Sequence, residues 1–288
     1  MPELPEVETL RTELNRAVKG KTIKTVLVKV PKMVKPLTPA KFQQQIKNKK
    51  ILDVSRRAKI LILKLTSDLF LTIHPKLTGQ LIFQPKKGRA VIGGHPQKGG
   101  TENLPNKFTH AIFQFSDGSK LFFNDLRKFG WMRLADKQQV DKLISEFGPE
   151  PLSRDFNLGK FTEIIKKYPN RNVKQILMDQ TLIAGVGNIY ADESLFCAGI
   201  LPTRLSKKIK TDEVKKLYQC IIKILKFAIA KKGTSANTYI QLDGKPGGME
   251  PYLKVYGRNK EKCKKCGNPI QKIQLNGRGT HFCKSCQQ

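Results

Sequence analysis

Residues 263–286 read CKKCGNPIQKIQLNGRGTHFCKSC. Two C-x2-C pairs, Cys263/Cys266 and Cys283/Cys286, flank a spacer of sixteen residues. Thiolates at this spacing suit closed tetrahedral coordination of Zn²⁺ with no position left for water, so one structural zinc ion is expected rather than disulfides. The spacer reads as two short strands around Asn276-Gly277, a pair suited to the left-handed backbone of a two-residue hairpin turn. Arg278 follows the turn and should project from the hairpin tip. The other two cysteines, Cys197 and Cys220, fall in helical patterns and read as small buried hydrophobes.

Upstream of this module the chain carries a large positive charge. Among its 288 residues, 54 Lys and Arg stand against 23 acids, for a net charge of +31 and a pI near 10.0. A polyanion partner follows from that excess, because basic side chains displace counterions from a phosphate backbone. Hydrophobic residues make up 39% of the chain, enough for a real core. No apolar run reaches membrane-spanning length, and no signal-peptide pattern precedes MPELPEVETL, so a soluble, cytoplasmic protein is expected.

The hydrophobic pattern changes along the chain. Residues 3–18 place Val7, Leu10, Leu14 and Val18 on one helical face. The segments KTIKTVLVKV, ILILKL, LFLTI, QLIFQ, HAIFQF and KLFF follow as short strands, which argues for a sandwich or barrel. Within them, residues 85–107, rich in Gly, Pro and Lys, read as a long excursion between strands. The expected α+β organisation has four parts: a β domain with a leading helix over 1–135, a linker over 136–152, a helical domain over 153–240, and a Gly-rich loop with the zinc hairpin over 241–288.

Four further segments can carry chemistry. If Met1 is removed, Pro2 presents a secondary amine next to the carboxylate of Glu3, and an α-amino group titrates near pH 7.7–8.0. RRAK, residues 56–59, puts three cations before a strand, which by itself reads as a charged strand entrance. NDLRKFGW, residues 124–131, sets Arg127 and Phe129 two apart and hence on one side. That pair reads either as a base-stack wedge or as a core Phe beside a surface Arg. GVGNIYADESLF, residues 185–196, puts two glycines before Asn188 at a helix start. It reads either as a phosphate site, with Lys174 as a nearby cation, or as an Asn-capped turn.

In order, MPELPEVE, RRAK, DLRKFG, LMDQ, GVGNIYADESLF, DGKPG, VYGR and the paired cysteines resemble the bacterial formamidopyrimidine-DNA glycosylases over essentially the whole chain. That resemblance implies a two-layered β sandwich with a leading helix, a helix–two-turn–helix domain and a zinc-finger hairpin, with damaged double-stranded DNA in the cleft between halves. It implies a monomeric bifunctional glycosylase/AP lyase acting on the bacterial nucleoid. Pro2 would be the nucleophile, Glu3 the proton shuttle, and Lys59 and Arg278 the cations that grip phosphate and assist elimination. Leu77, Arg127 and Phe129 would fill the space left by an extruded purine. His110, Arg171, Lys174 and Asn188 would contact DNA, and residues 242–257 would close over the base.

Two departures stand out. The family's H-L-G-M-S-G reads HPKLTG at 74–79, so Leu77 stands where the wedge is Met and Lys76 where there is Gly. A family histidine aligns with Phe108, although His110 is retained. The rival readings are an endonuclease VIII-like enzyme for oxidised pyrimidines and a non-catalytic zinc-ribbon nucleic-acid-binding protein.

Overall fold

A computed structural model describes residues 2–87, 91–94, 103–234 and 247–288. The chain divides into two compact units, Met1–Ile144 with Lys231–Gly248, and Ser145–Ala230 with Met249–Gln288.

The first unit opens with α1 (Leu4–Val18). Glu3 sits before it in extended backbone, and its N–H donates to the Glu6 carboxylate at 2.9 Å, the return bond of a capping box. Val7, Leu10, Leu14 and Val18 are all fully buried, as the spacing predicts, and each contributes about 1.5–3 kcal/mol by leaving water. Asn15 accepts the N–H of Val54 at 3.0 Å, so α1 also satisfies part of the neighbouring sheet's edge.

Nine strands and a short helix follow: β1 (Ile23–Val28), α2 (Pro39–Ile46), β2 (Ile51–Arg57), β3 (Ile60–Leu65), β4 (Phe70–His74), β5 (Gly79–Gln84), β6 (Val91–Gly94), β7 (Thr109–Phe115), β8 (Lys120–Asp125) and β9 (Trp131–Ala135). They form two antiparallel sheets, ordered β1-β7-β8-β5-β6 and β2-β3-β4-β9. Val26, Leu81, Phe113 and Phe123 of one sheet share a buried cluster with Val54, Leu63, Ile73 and Met132 of the other. This is the two-layered sandwich, and the barrel alternative falls away.

Three local readings are corrected. Arg56 and Arg57 belong to a strand of their own, β2, rather than to the entrance of the next. The 85–107 excursion contains β6, which pairs with β5 (Ile82 opposite Ile92); its residues 88–90 and 95–102 lie outside the described set. The stretch 136–152, read as linker, carries α3 (Lys137–Ser145), which buries Val140.

The second unit holds α4 (Leu158–Lys167), α5 (Val173–Met178), α6 (Asn188–Ala198), α7 (Thr211–Ala230) and the hairpin β10 (Gln271–Leu275) and β11 (Arg278–Phe282). Asn157 and Asn172 cap α4 and α5 through their side chains. Cys197 of α6 and Cys220 of α7 are joined by a disulfide, which corrects their reading as free hydrophobes. The reason is geometric: the packing of α6 on α7 sets their Cα atoms 5.9 Å apart, within bridging range. Residues 231–234 and 247–248, read as helical domain and zinc module, cluster instead with the first unit. Among the described residues, no helix is long and apolar enough to cross a membrane.

Candidate active site

In the first unit the chain crosses between sheets three times, and the last two crossings run side by side. It leaves β4 at His74 and enters β5 at Gly79, then leaves β8 at Asp125 and enters β9 at Trp131. His74 pairs with Trp131 and Gly79 with Asp125, so both turns sit at one end of the sandwich. Pairing of Leu61 with Ile73 brings the β2–β3 turn, with Lys59, to that end as well. The Arg56 guanidinium lies 2.7 Å from Glu8 Oε2 and ties this turn to the first turns of α1, where Pro2 and Glu3 are. Pro2, Glu3, Lys59, Leu77, Arg127 and Phe129, drawn from four segments, therefore share one end of one unit.

The α1 start is tightly held. Pro2 and Glu3 are buried. Glu6, which the sequence did not single out, is the organiser. Its Oε2 accepts from Glu3 N–H and its Oε1 from Thr234 N–H at 3.0 Å, so one buried carboxylate joins the helix start to the segment after α7. Gly233 precedes that contact with φ +77, and a Cβ there would lie 2.7 Å from Glu6 Oε1; only glycine fits. Lys59, also buried, follows Ala58 in its left-handed turn.

His74 is a second residue missed by sequence reasoning. Burial first, and then the positive charges of Lys76 and Lys59, together lower its pKa from 6.5 to about 3. Its Nδ1 accepts the Lys76 N–H at 3.0 Å, which leaves a neutral ring with Nε2 as the donor. The unfolded chain thus takes up this proton first. Stability is fully present above pH 6.5 and is lost as the pH falls from there toward 3. Denaturant midpoints measured across that window should decline with acid, and His74→Gln should flatten part of the decline.

Asp125 builds the surface around the two turns. Its fully buried carboxylate accepts from Thr78 Oγ1, from Arg127 N–H at 3.2 Å and from Gly130 N–H at 2.7 Å. Thr78 Oγ1 is also 3.0 Å from Arg127 N, which couples the Leu77 turn to the Arg127–Phe129 loop. A Cβ on Gly130 would lie 2.5 Å from the Phe123 ring. This buried scaffold displays an aromatic in the open: Phe129 is 53% exposed, with the Arg127 guanidinium 4.9 Å from its ring centroid. The exposure of this cation–π pair excludes the core-Phe alternative and is compatible with the wedge reading. Leu77, in the adjoining turn, is half-buried.

Asp125→Ala should cost about 3 kcal/mol or more, because at least two buried donors lose their acceptor. Thermal unfolding would show this, whereas Phe129→Ala should leave the melting temperature within a degree or two. His110, expected to contact DNA, is buried with its Nε2 2.7 Å from the Asp125 carbonyl oxygen. It braces this loop instead of facing outward.

In the second unit the Asn276-Gly277 turn forms as the sequence predicts, with both residues at positive φ and Leu275 opposite Arg278. Arg278 is exposed at its tip. Asn188 is the first residue of α6, not its cap, and its Nδ2 donates to the Gly279 carbonyl at 2.8 Å. Lys174 departs from expectation. It is 2% exposed, with its Nζ 2.6 Å from Asp192 Oδ1 and 2.7 Å from Thr280 Oγ1. Burial with a carboxylate commits this ammonium to the protein's interior rather than to a phosphate. Asp192 also accepts the His281 N–H at 2.8 Å, and Glu193 accepts the N–H groups of Lys254, Val255 and Tyr256. Burial raises the Glu193 pKa despite those three bonds. The ADES segment therefore anchors the zinc module, a role its spacing did not reveal. Arg171 lies over the Tyr168 ring and within 3.1 Å of Asp179 Oδ2, half-buried at the start of α5.

The four sulfurs of Cys263, Cys266, Cys283 and Cys286 all lie within 4.8 Å of one another, with separations of 3.9 Å and 3.5 Å for two pairs. Tetrahedral Zn–S bonds of about 2.3 Å require sulfur separations near 3.8 Å, so the cluster fits one zinc ion.

These features have counterparts in known proteins. Residues 1–132 match the formamidopyrimidine-DNA glycosylase N-terminal domain, 147–239 its H2TH domain, and 260–288 the zinc finger found in FPG and IleRS. The chain is 39% identical over 290 residues to the formamidopyrimidine-DNA glycosylase of Listeria monocytogenes serotype 4b (strain F2365), covering 100% of both. It superposes on the Lactococcus lactis Fpg solved with abasic-site DNA at a TM-score of 0.87 and 36% identity over 99% of each chain. The same enzyme solved with DNA containing an oxidised pyrimidine matches at 0.86 and 36% over 100% of each. Fold and site thus define a DNA glycosylase of base excision repair. Within that class, the chain belongs to the formamidopyrimidine-DNA glycosylase family.

Proposed function

We propose that Pro2 is the nucleophile of a combined glycosylase and AP lyase. The observation that carries this is the gathering of buried Pro2 and Glu3, the Lys59 turn and the exposed Arg127–Phe129 wedge at one end of the sandwich.

With Met1 removed, the Pro2 amine attacks C1′ of an extruded nucleotide. The glycosidic bond breaks and the base leaves with a proton, for which Glu3 is the nearest donor in sequence. The opened sugar is held as a cationic iminium, since a secondary amine has no second proton to lose. This electron sink acidifies C2′. Loss of that proton expels the 3′ phosphate, a second elimination expels the 5′ phosphate, and water releases the enzyme. Lys59 and Arg278 act on the flanking phosphates, with the neutral His74 ring as a further donor. Leu77, Arg127 and Phe129 fill the vacated stack, which offsets part of the few kcal/mol of unstacking. Asn188 and Arg171 remain phosphate contacts in this reading, while His110 and Lys174 act by positioning. The residues 242–246 of the expected capping loop lie outside the described set.

Damaged double-stranded DNA is the partner, and a monomer acting in the cytoplasm on the nucleoid suffices for the chemistry. The zinc ion, held by the four cysteines, folds the hairpin that carries Arg278 and takes no part in the reaction. Oxidised purines are the favoured lesions. Oxidised pyrimidines form a second reading, because the similar Lactococcus lactis enzyme was solved with such DNA.

Borohydride trapping on two duplexes tests this reading. One carries 8-oxoguanine opposite C, the other an oxidised pyrimidine. A reduced adduct mapped to Pro2 and favouring 8-oxoguanine is the expected result. A pyrimidine preference would change the lesion class and keep the mechanism. No adduct on either duplex, with Met1 absent and binding intact, would overturn it.

A further inference from the structure

A cavity of about 390 Å³ opens in the second unit between α6, α7 and residues 249–254. Its walls are Phe196 of α6, Ile224 and Phe227 of α7, and Met249 and Tyr252. Glu193 and Cys197, which also line it, lie about 7 and 13 Å along α6 from Asn188 at 1.5 Å per residue. Phe227 and Tyr252 stand 38% and 45% exposed in an edge-to-face contact with centroids 5.0 Å apart. Two large aromatics at one opening are unusual on a protein that is 27% charged residues, and such patches mark interaction sites. The Cys197–Cys220 disulfide links the two helices that form the floor, so the cavity is preformed.

The rim states what kind of partner fits. Three charged residues line the cavity: Glu193, Lys223 and Lys254. The Glu193 carboxylate is turned inward onto the backbone N–H groups of Lys254, Val255 and Tyr256. The charges left at the opening are therefore two lysines, both exposed. A phosphate backbone has no apolar group to place against Phe227 and Tyr252.

We propose that this cavity is a docking site for an acidic peptide segment of a partner protein. One aromatic side chain of that segment enters the cavity against the two rings, and flanking carboxylates meet Lys223 and Lys254. The arrangement is an apolar anchor with a charged rim, in which the anchor carries affinity and the rim carries specificity.

The test uses the full-length protein and a fluorescein-labelled peptide, acetyl-Asp-Asp-Phe-Asp-Asp, read by fluorescence anisotropy. Replacing the peptide's Phe by Ala should weaken binding by about tenfold or more. Lys223→Glu should weaken it by about fivefold or more, with lesion excision and melting temperature unchanged. Phe227→Ser is the second variant and should have a similar effect on binding. A saturating abasic-site duplex should leave the peptide bound. Equal affinity for the Ala peptide, or for the charge-reversed protein, would overturn the proposal. So would displacement of the peptide by the duplex, which would assign the surface to DNA.

Discussion

Replacing Pro2 with glycine is expected to slow base excision by roughly 10³-fold or more, about 4 kcal/mol of barrier, while lesion-DNA binding changes by about twofold or less. Glycine keeps an amine at the chain start but loses two properties of the ring. A primary amine gives an imine that can shed its proton and lose the charge that draws electrons from C2′. The ring also limits rotation about N–Cα, so the nitrogen's direction is set before substrate arrives. Pro2 is buried against a helix start whose cap is fixed by Glu6, so little else can hold that nitrogen in place. Single-turnover excision with pre-bound 8-oxoguanine duplex measures the effect directly. Wild-type rates in the variant would remove Pro2 from the mechanism.

Loss of zinc should have the second large effect. Structural zinc in small finger modules contributes on the order of 10–16 kcal/mol of apparent binding free energy, and here that energy is spread over a small apolar core. Val255, Ile270, Cys263 and Cys283 form that core with Phe196 against it, too little to fold the hairpin alone. Cys283→Ser, or chelation, should melt β10 and β11 and displace Arg278. Affinity for abasic-site DNA is then expected to fall by about tenfold or more, in line with losing a central cation and its support. The first unit should melt as before. Zinc content by atomic absorption together with a DNA-binding isotherm checks both parts, and normal binding by zinc-free protein would refute the link.

Much of this was legible before the structure. The α1 stripe, six of the nine strands, the hairpin turn and the cysteine set follow from periodicity and turn chemistry, which are local. The missed parts depend on distant partners. Lys174 reads as a free cation because nothing near it in sequence shows that Asp192 lies 2.6 Å away. His110 reads as a surface ligand because its acceptor is a backbone carbonyl, which leaves no trace in a residue pattern. Glu6 and Asp125 hold backbone amides across the fold, and such bonds have no spacing rule. Cys197 and Cys220 are 23 residues apart in separate helices, and only the packing of those helices brings them together. The wedge was ambiguous for the opposite reason: exposure of Phe129 is a property of the loop's anchor, not of the residue.

The paired crossings between the sheets also restrict how this chain can change over time. His74 faces Trp131 and Gly79 faces Asp125, so each turn is bounded at both ends by residues in ladder with the other turn. One residue added to either turn would slip a strand by one position and exchange its inward and outward faces along its whole length. Insertions and deletions are therefore barred from both turns. Length variation in descendants of this chain should accumulate outside them, leaving the geometry at the reactive end of the sandwich intact.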